Sequence, residues 1–283
     1  TISDERKRIQ KEANADIEKL IEIFNECWRV LKETGTVFIN MGDTYSNVNS
    51  KFISGSNNKN YYIDNQKAKT RRKSDIRRKS KMMIPERFAI AMIERGWILR
   101  NEIIWHKPNV VPEAVQDRFT NDFEKIYFFT KNKKYFFEKQ YEAFAEKTLT
   151  AFKDGIMPTG KKKMLGAGES RTGMREVNKP WKAVYNEKGR NMRTVWKIAT
   201  KGIPEAHFAT FPEELVKRCL LSGCPENGIV LDLFLGSGTT LKVAKRLNRN
   251  GIGIELNQEY IQIAKKRIGN DLFNELQVKT DIN

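Results

Sequence analysis

A Gly-Ser-Gly turn and one distant acid carry the clearest chemistry in the chain. Gly236-Ser237-Gly238 follows the apolar run Gly228-Ile-Val-Leu231 and precedes Thr239-Thr240. Glu255 stands about 20 residues after the turn, at the end of a second apolar run, Gly251-Ile-Gly-Ile254. Glycines let the backbone turn sharply and come close to a ligand. A carboxylate at that spacing is where nucleotide-type folds accept both ribose hydroxyls. The dinucleotide fingerprint is not completed, because Leu241 stands at the third-glycine position. No Gly-Lys-Ser/Thr follows, so there is no Walker loop either. A ligand with a ribose and no pyrophosphate fits, and S-adenosylmethionine is such a ligand. The alternative is a plain turn in an α/β protein, with Glu255 as a solvated charge. The conjunction of turn, helix and acid argues against it.

Other chemistries find little support. Cys27, Cys219 and Cys224 form no C-x-x-C pair, and there are only two histidines, His106 and His207, so no metal site is expected. Free thiols suit a reducing cytoplasm. The first residues, Thr1-Ile-Ser-Asp-Glu-Arg-Lys-Arg, are too charged for a signal peptide.

The elements that must position the turn can be read around it. Thr239 and Thr240 open a helix whose apolar face holds Leu241, Val243, Ala244 and Leu247. Upstream, residues from about Glu5 to Lys32 read as a long amphipathic helix ended by Gly35. Thr36–Met41 reads as a strand with Gly42-Asp43-Thr-Tyr45 at its carboxyl end, where open α/β sheets carry their sites. Pro85 opens a helix that stops at Gly96, and Trp97–Trp105, Glu124–Thr130 and Tyr135–Phe137 read as strands. Two strands joined without a helix predict an antiparallel edge on an otherwise parallel sheet. Thr194–Ile198 opens the last part, and an aromatic loop from His207 leads into a helix reaching Leu220.

The net charge of +17 at a pI near 9.7 points to a polyanionic partner, with nucleic acid first. The charge is concentrated. Lys67 to Lys81 holds nine basic residues against one acid, within a stretch, 46–82, whose composition predicts a flexible basic loop. Arg71, Arg72, Lys73, Arg77, Arg78 and Lys79 are its candidates for phosphate contact, against the alternative of a solvated insertion. Residues 142–192 are weakly patterned and read as a separate recognition segment, with Lys161, Lys162, Lys163 and Arg171 as further DNA-binding candidates.

In this order the parts resemble the DNA amino-methyltransferases, the N4-cytosine and N6-adenine group of restriction-modification enzymes, in the β-group motif order. The matching segments run in series. They are Trp28-Arg-Val-Leu-Lys with Gly35, Met41-Gly-Asp-Thr-Tyr45, and Gly96 through Asn109. Next come Pro112-Glu113 with Asp117-Arg118, Arg193-Thr-Val-Trp196 and Ala206 through Pro212. Last is Asp232 through Thr240 with Gly253-Ile-Glu-Leu-Asn257. The resemblance implies an α/β, Rossmann-like fold dependent on S-adenosylmethionine. Its parts would be a catalytic half over 1–141, a target-recognition segment over 142–192 and a cofactor-binding half over 193–283. It implies that Phe234, Gly236, Ser237, Gly238 and Thr239 shape the cofactor pocket and that Glu255, with Asn257 beside it, holds the ribose. His207, Phe208, Phe211 and Pro212 would lie over the methionine end, with ordinary core packing as the alternative for Phe208 and Phe211. Asp232 would serve the amino-acid end or close the turn. Double-stranded DNA is the implied partner, with a cognate restriction endonuclease beside it and no metal.

One departure is serious. The family's catalytic tetrapeptide is Asp, Asn or Ser, then Pro-Pro, then Tyr, Phe or Trp, and no Pro-Pro pair occurs in the chain. An exocyclic amine is a poor nucleophile, because its lone pair is delocalised into the ring. In the family the polar residue and a prolyl carbonyl accept its hydrogens, and the aromatic residue stacks on the flipped base. The chain, starting at Thr1 without Met, reads as truncated just after that tetrapeptide and before the first helix. The expectation is cofactor binding without methyl transfer. The alternative is a catalytically inactive nucleic-acid-binding subunit that retains the methyltransferase fold.

Overall fold

The computed structural model describes residues 17–46, 79–146, 149, 186, 188–200 and 210–269. The first helix, α1, covers residues 17–30 within the described part. It is followed by β1 (Thr36–Met41), α2 (Ile84–Glu94), β2 (Ile98–His106) and β3 (Phe123–Thr130). Then come β4 (Tyr141–Glu142), β5 (Arg190–Asn191), β6 (Val195–Lys197), α3 (Glu213–Gly223), β7 (Ile229–Asp232), α4 (Thr239–Arg246), β8 (Asn250–Gly253) and α5 (Gln258–Ile268). The chain divides into two units, Thr1–Phe137 with Thr194–Asn283, and Glu138–Arg193.

In the larger unit four strands form one sheet in the order β1-β3-β2-β6. β3 runs antiparallel to both neighbours, and β2 runs parallel to β6. The α/β class with a mixed sheet is therefore present, but the antiparallel strand lies inside this sheet, between β1 and β2. Its burial fits the place. Ile126 to Thr130 are all at most 2% exposed, so β3 buries both faces, as an interior strand must. Tyr127 and Phe129 face a core shared with Ile39, Phe88 and Met92, and with Ile21 and Phe24 of α1. On the other face Phe128 stacks on Phe38 at 4.6 Å and meets Tyr135 and Phe137. Residues 135–137 are not a strand. The alternation of Tyr135 and Phe137 sets both rings on Phe128 instead. Trp105 is buried, and its indole Nε1–H donates to the Ile198 carbonyl at 2.8 Å.

β7 and β8 form a separate parallel pair, covered on one side by a core of Val216, Leu220, Val230, Val243 and Ala244. The Thr36 hydroxyl, at the start of β1, donates to the Gly223 carbonyl just ahead of β7 at 2.9 Å. Leu233, just beyond β7, packs on the core that holds Ile39. Among the described residues neither β1 nor β7 has a second strand beside it.

The smaller unit is described only in part. β4 pairs antiparallel with β5, and the Glu142 carboxylate accepts from the guanidinium groups of Arg190 at 2.8 Å and Arg193 at 2.6 Å.

Candidate functional site

The glycine turn leaves β7 at Asp232, whose carboxylate accepts the Phe234 N–H at 3.0 Å and so starts the bend. Gly236 and Gly238 take φ of +53° and +81°, conformations open to glycine at little cost. The second glycine has a further reason. A side chain there would begin 2.8 Å from the Ala264 methyl of α5, so the turn and α5 lie too close for any other residue. At Gly236 the nearest atom to that point is the Phe234 carbonyl oxygen at 3.9 Å, which leaves the outer side of the turn open.

Glu255 reaches across to this turn. One carboxylate oxygen accepts the Gly236 N–H and the other accepts the Asn257 N–H, both at 2.8 Å. Each oxygen keeps a lone pair, so two hydroxyls can still be accepted. Asn257 in turn caps α5, accepting the Glu259 N–H at 2.8 Å. Phe234 is 61% exposed beside the turn. Ser237 and Thr239 point inward and are buried, and Arg267 holds both. Its guanidinium donates to the Ser237 carbonyl at 2.7 Å, to the Ser237 hydroxyl at 2.5 Å and to the Thr239 hydroxyl at 3.2 Å. Sequence reading missed Arg267. Its only signal was a basic last turn on α5, which is common at helix ends.

The structure thus gathers Asp232, Phe234, Gly236, Ser237, Gly238, Thr239, Glu255 and Asn257 around one turn. Phe211 packs on the core between α3 and α4, which is the core alternative for that residue, and Pro212 is buried as the residue preceding α3. His207 and Phe208 lie outside the described residues, as do Arg71, Arg72, Lys73, Arg77, Arg78, Lys161, Lys162, Lys163 and Arg171. Lys79 is described. It sits at φ +71° and pairs with Asp117. The two ends of the 46–82 stretch are tied together, with Ser46 N–H to the Ser80 carbonyl at 2.7 Å and Lys79 N–H to the Ser46 carbonyl at 2.9 Å.

The carboxyl end of β1 is organised differently. Asp43 accepts the N–H groups of Met83 and Ile84, each at 3.1 Å, and so caps α2 from a distance. Lys125 lies between Glu86 and Glu102, at 2.5 Å from each. Burial alone would lower its ammonium, yet hydrogen bonds to Glu102 and Glu86 carry it well above the usual lysine range. Burial also pushes the Tyr127 phenol up, while the Lys125 charge pulls the other way, and the Tyr127 hydroxyl is buried without a hydrogen-bond partner. These groups hold one another and form a structural cluster. Among the described residues no group of acids, histidines and cysteines could hold a metal ion.

Comparison with known proteins agrees on one family. The N6_N4_Mtase family model, described as DNA methylase, matches residues 3–266. The chain is similar to the type II methyltransferase M.Cfr9I of Citrobacter freundii, at 32% identity over 97% of this chain and 78% of that one. Among solved structures it is similar in fold to the PvuII DNA methyltransferase (cytosine-N4-specific), with a TM-score of 0.57 at 16% identity, covering 92% of this chain and 73% of that one. It is also similar to TTHA0409 of Thermus thermophilus, solved with S-adenosyl-L-methionine, with a TM-score of 0.51 at 21% identity, over 90% of this chain and 77% of that one.

Proposed function

The chain belongs to the N6_N4_Mtase DNA methylase family, and from that premise we propose that it is the body of an S-adenosylmethionine-dependent, site-specific DNA methyltransferase of a restriction-modification system. The methyl acceptor is an exocyclic amine, cytosine N4 or adenine N6, of a base flipped from double-stranded DNA. The observation that carries the reading is the Gly236 turn with the Glu255 carboxylate fixed against it.

The residues present fit the cofactor. The turn is open above Gly236, Glu255 offers two acceptors for a ribose diol, and Phe234 offers a bare aromatic face. S-adenosylmethionine, when bound, supplies a methyl group on a sulfonium sulfur. The chain's own residues bind and orient. Glu255 fixes the ribose, the turn backbone takes the close approach, and Arg267 holds the turn from below. Positioning of this kind is the main contribution a protein makes to a direct displacement. The division of labour follows the chain, with 1–141 as the catalytic half, 142–192 for target recognition and 193–283 for the cofactor.

A second reading is favoured by one observation, the absence of the Pro-Pro tetrapeptide from the 283 residues. The chain then binds DNA and cofactor without transferring a methyl group, as an inactive subunit. Two measurements divide the readings. Calorimetric titration with S-adenosylmethionine tests the pocket, and mass spectrometry of nucleosides from unmethylated DNA tests transfer. The first reading expects binding together with N4-methylcytosine or N6-methyladenine, and the second expects binding and no methylated base. N4-methylcytosine or N6-methyladenine would refute the inactivity, and folded protein that fails to bind S-adenosylmethionine would refute the pocket.

A further inference from the structure

The β2–β3 loop, residues 107–122, is held firmly and yet leaves a large apolar side chain bare. Phe119 is 95% exposed, and Val111 in the same loop is 80% exposed. A mobile loop could expose such residues in passing, but this one is pinned on both sides of Phe119. Arg118 pairs with Glu113, lies 4.2 Å over the Tyr45 ring and donates to the Phe119 carbonyl at 3.2 Å. Asn121 accepts from the Tyr45 hydroxyl at 3.4 Å, and the Lys107 N–H donates to the Asp122 carbonyl at 2.7 Å. At the far end Asn109 exchanges hydrogen bonds with the backbone of Thr200, both at 2.9 Å. Several polar contacts thus fix the backbone around one phenyl ring that stands in solvent.

Its position identifies the partner. Tyr45 lies just past the carboxyl end of β1. The Tyr45–Lys81 bridge beside it closes the root of the stretch whose sequence, Lys67 to Lys81, is the most basic in the chain. Cations in and around the loop are already committed, Lys79 to Asp117, Lys107 to Glu124 and Arg118 to Glu113. The loop thus offers an apolar side chain near the described end, Lys79 to Lys81, of a stretch that is basic in sequence. In DNA an aromatic ring finds a matching surface on the face of a base pair exposed when a step opens.

The geometry points to Phe119 as a wedge that enters an opened base step of the bound duplex. This rests on the DNA reading above and extends it to a residue and a step. A flipped base leaves a gap in the stack, and an apolar side chain filling that gap offsets part of the unstacking cost. A phenyl ring neutralises no phosphate, so its contribution is independent of salt.

The test uses the full chain and two fluorescent duplexes of one sequence, intact or with a single central abasic site, read by anisotropy at several salt concentrations. The abasic duplex offers an open step whatever the recognition sequence. Wild type should prefer it by about 5- to 100-fold, the range expected of one aromatic–base stack. Phe119→Ala should remove that preference while leaving thermal stability and salt dependence unchanged, and Phe119→Leu should retain most of it. Equal affinity of wild type for the two duplexes, or an undiminished preference in Phe119→Ala, overturns the wedge alone. Failure of wild type to bind either duplex overturns the DNA reading as well.

Discussion

β3 buries both of its faces, whereas the β7–β8 pair buries one. Every residue from Ile126 to Thr130 is at most 2% exposed. In the pair, Val230 is 8% exposed, but Ile229, Leu231, Ile252 and Ile254 are 57, 40, 55 and 48% exposed. These four alternate along their strands, so they share the face opposite α3 and α4. Both regions are made from uninterrupted apolar runs, which is how strands buried on both faces read. The contrast teaches that such a run encodes a need for cover without saying which part of a molecule supplies it. It also places the candidate cofactor turn in the less buried region, where local opening costs less.

The contrast can be broken most directly in the two sheets themselves. Phe129 is fully buried against Trp97 and Tyr127, so Phe129→Ala should cost about 3–5 kcal/mol in urea unfolding. Ile252→Ala, on the bare face, should cost less than about 0.5 kcal/mol. A large loss at Ile252 would mean that its face is covered in solution and that the two sheets do not differ. At the site itself, Glu255→Ala removes an acceptor and frees the Gly236 N–H. Losing hydrogen bonds to a charged group of about 1.5–3 kcal/mol should weaken S-adenosylmethionine binding by roughly 10- to 150-fold in calorimetry. Unchanged affinity would move the ribose elsewhere.

How much of this could be read in the sequence follows the same divide. β1 and the strands and helices around Gly236 fall within a residue or two of where periodicity placed them, because local turn chemistry and apolar spacing fix both. The position of β3 inside the sheet was not legible. Strand order depends on which faces need cover, and Glu124–Thr130 looks the same at an edge or in the middle. Of the site, Gly236, Gly238 and Glu255 were legible because only a tight turn and a fixed spacing require those residue types. Arg267 was not, since its role depends on α5 folding back onto Ser237. Asp43 was noticed for its place after β1, but its work as a cap for α2 rests on a contact 40 residues away.

The three cysteines measure the difference in local stability. Cys27 on α1 and Cys219 and Cys224 at α3 are almost equally buried, at 8, 8 and 9% exposure, so access alone does not rank them. Burial pushes the Cys27 thiol up to about 11 and the Cys219 thiol up to about 12, and raises Cys224 as well. At pH 8 all three are protonated in the folded state and react only when their surroundings open. If the α3 region opens at about 1–2 kcal/mol less cost than the main core, Cys219 and Cys224 should label about 5- to 30-fold faster than Cys27 in peptide mass spectrometry. Labelling of Cys27 first would reverse the order of the two regions.

The smallest effect tests what ties the cover of the β7–β8 pair together. Glu213, at the start of α3, accepts from Lys242 at 2.9 Å and Arg246 at 2.7 Å, both on α4. The hydrogen bond from Lys242, then that from Arg246, holds its carboxyl below the ordinary value of 4.5, against the opposing effect of burial. A folded-state pKa below the unfolded one means that the unfolded chain takes up the proton first as pH falls. The stabilisation is therefore complete above about pH 5 and is lost as pH falls through the lowered folded value. Partly exposed pairs contribute little, so Glu213→Gln should cost about 0.5–1 kcal/mol at pH 7. Measured by urea unfolding from pH 7 to pH 3, the gap between wild type and variant should close only below about pH 4.5. A gap independent of pH would show that Glu213 acts through packing, and that the α3–α4 cover is held, like the main core, by apolar contact alone.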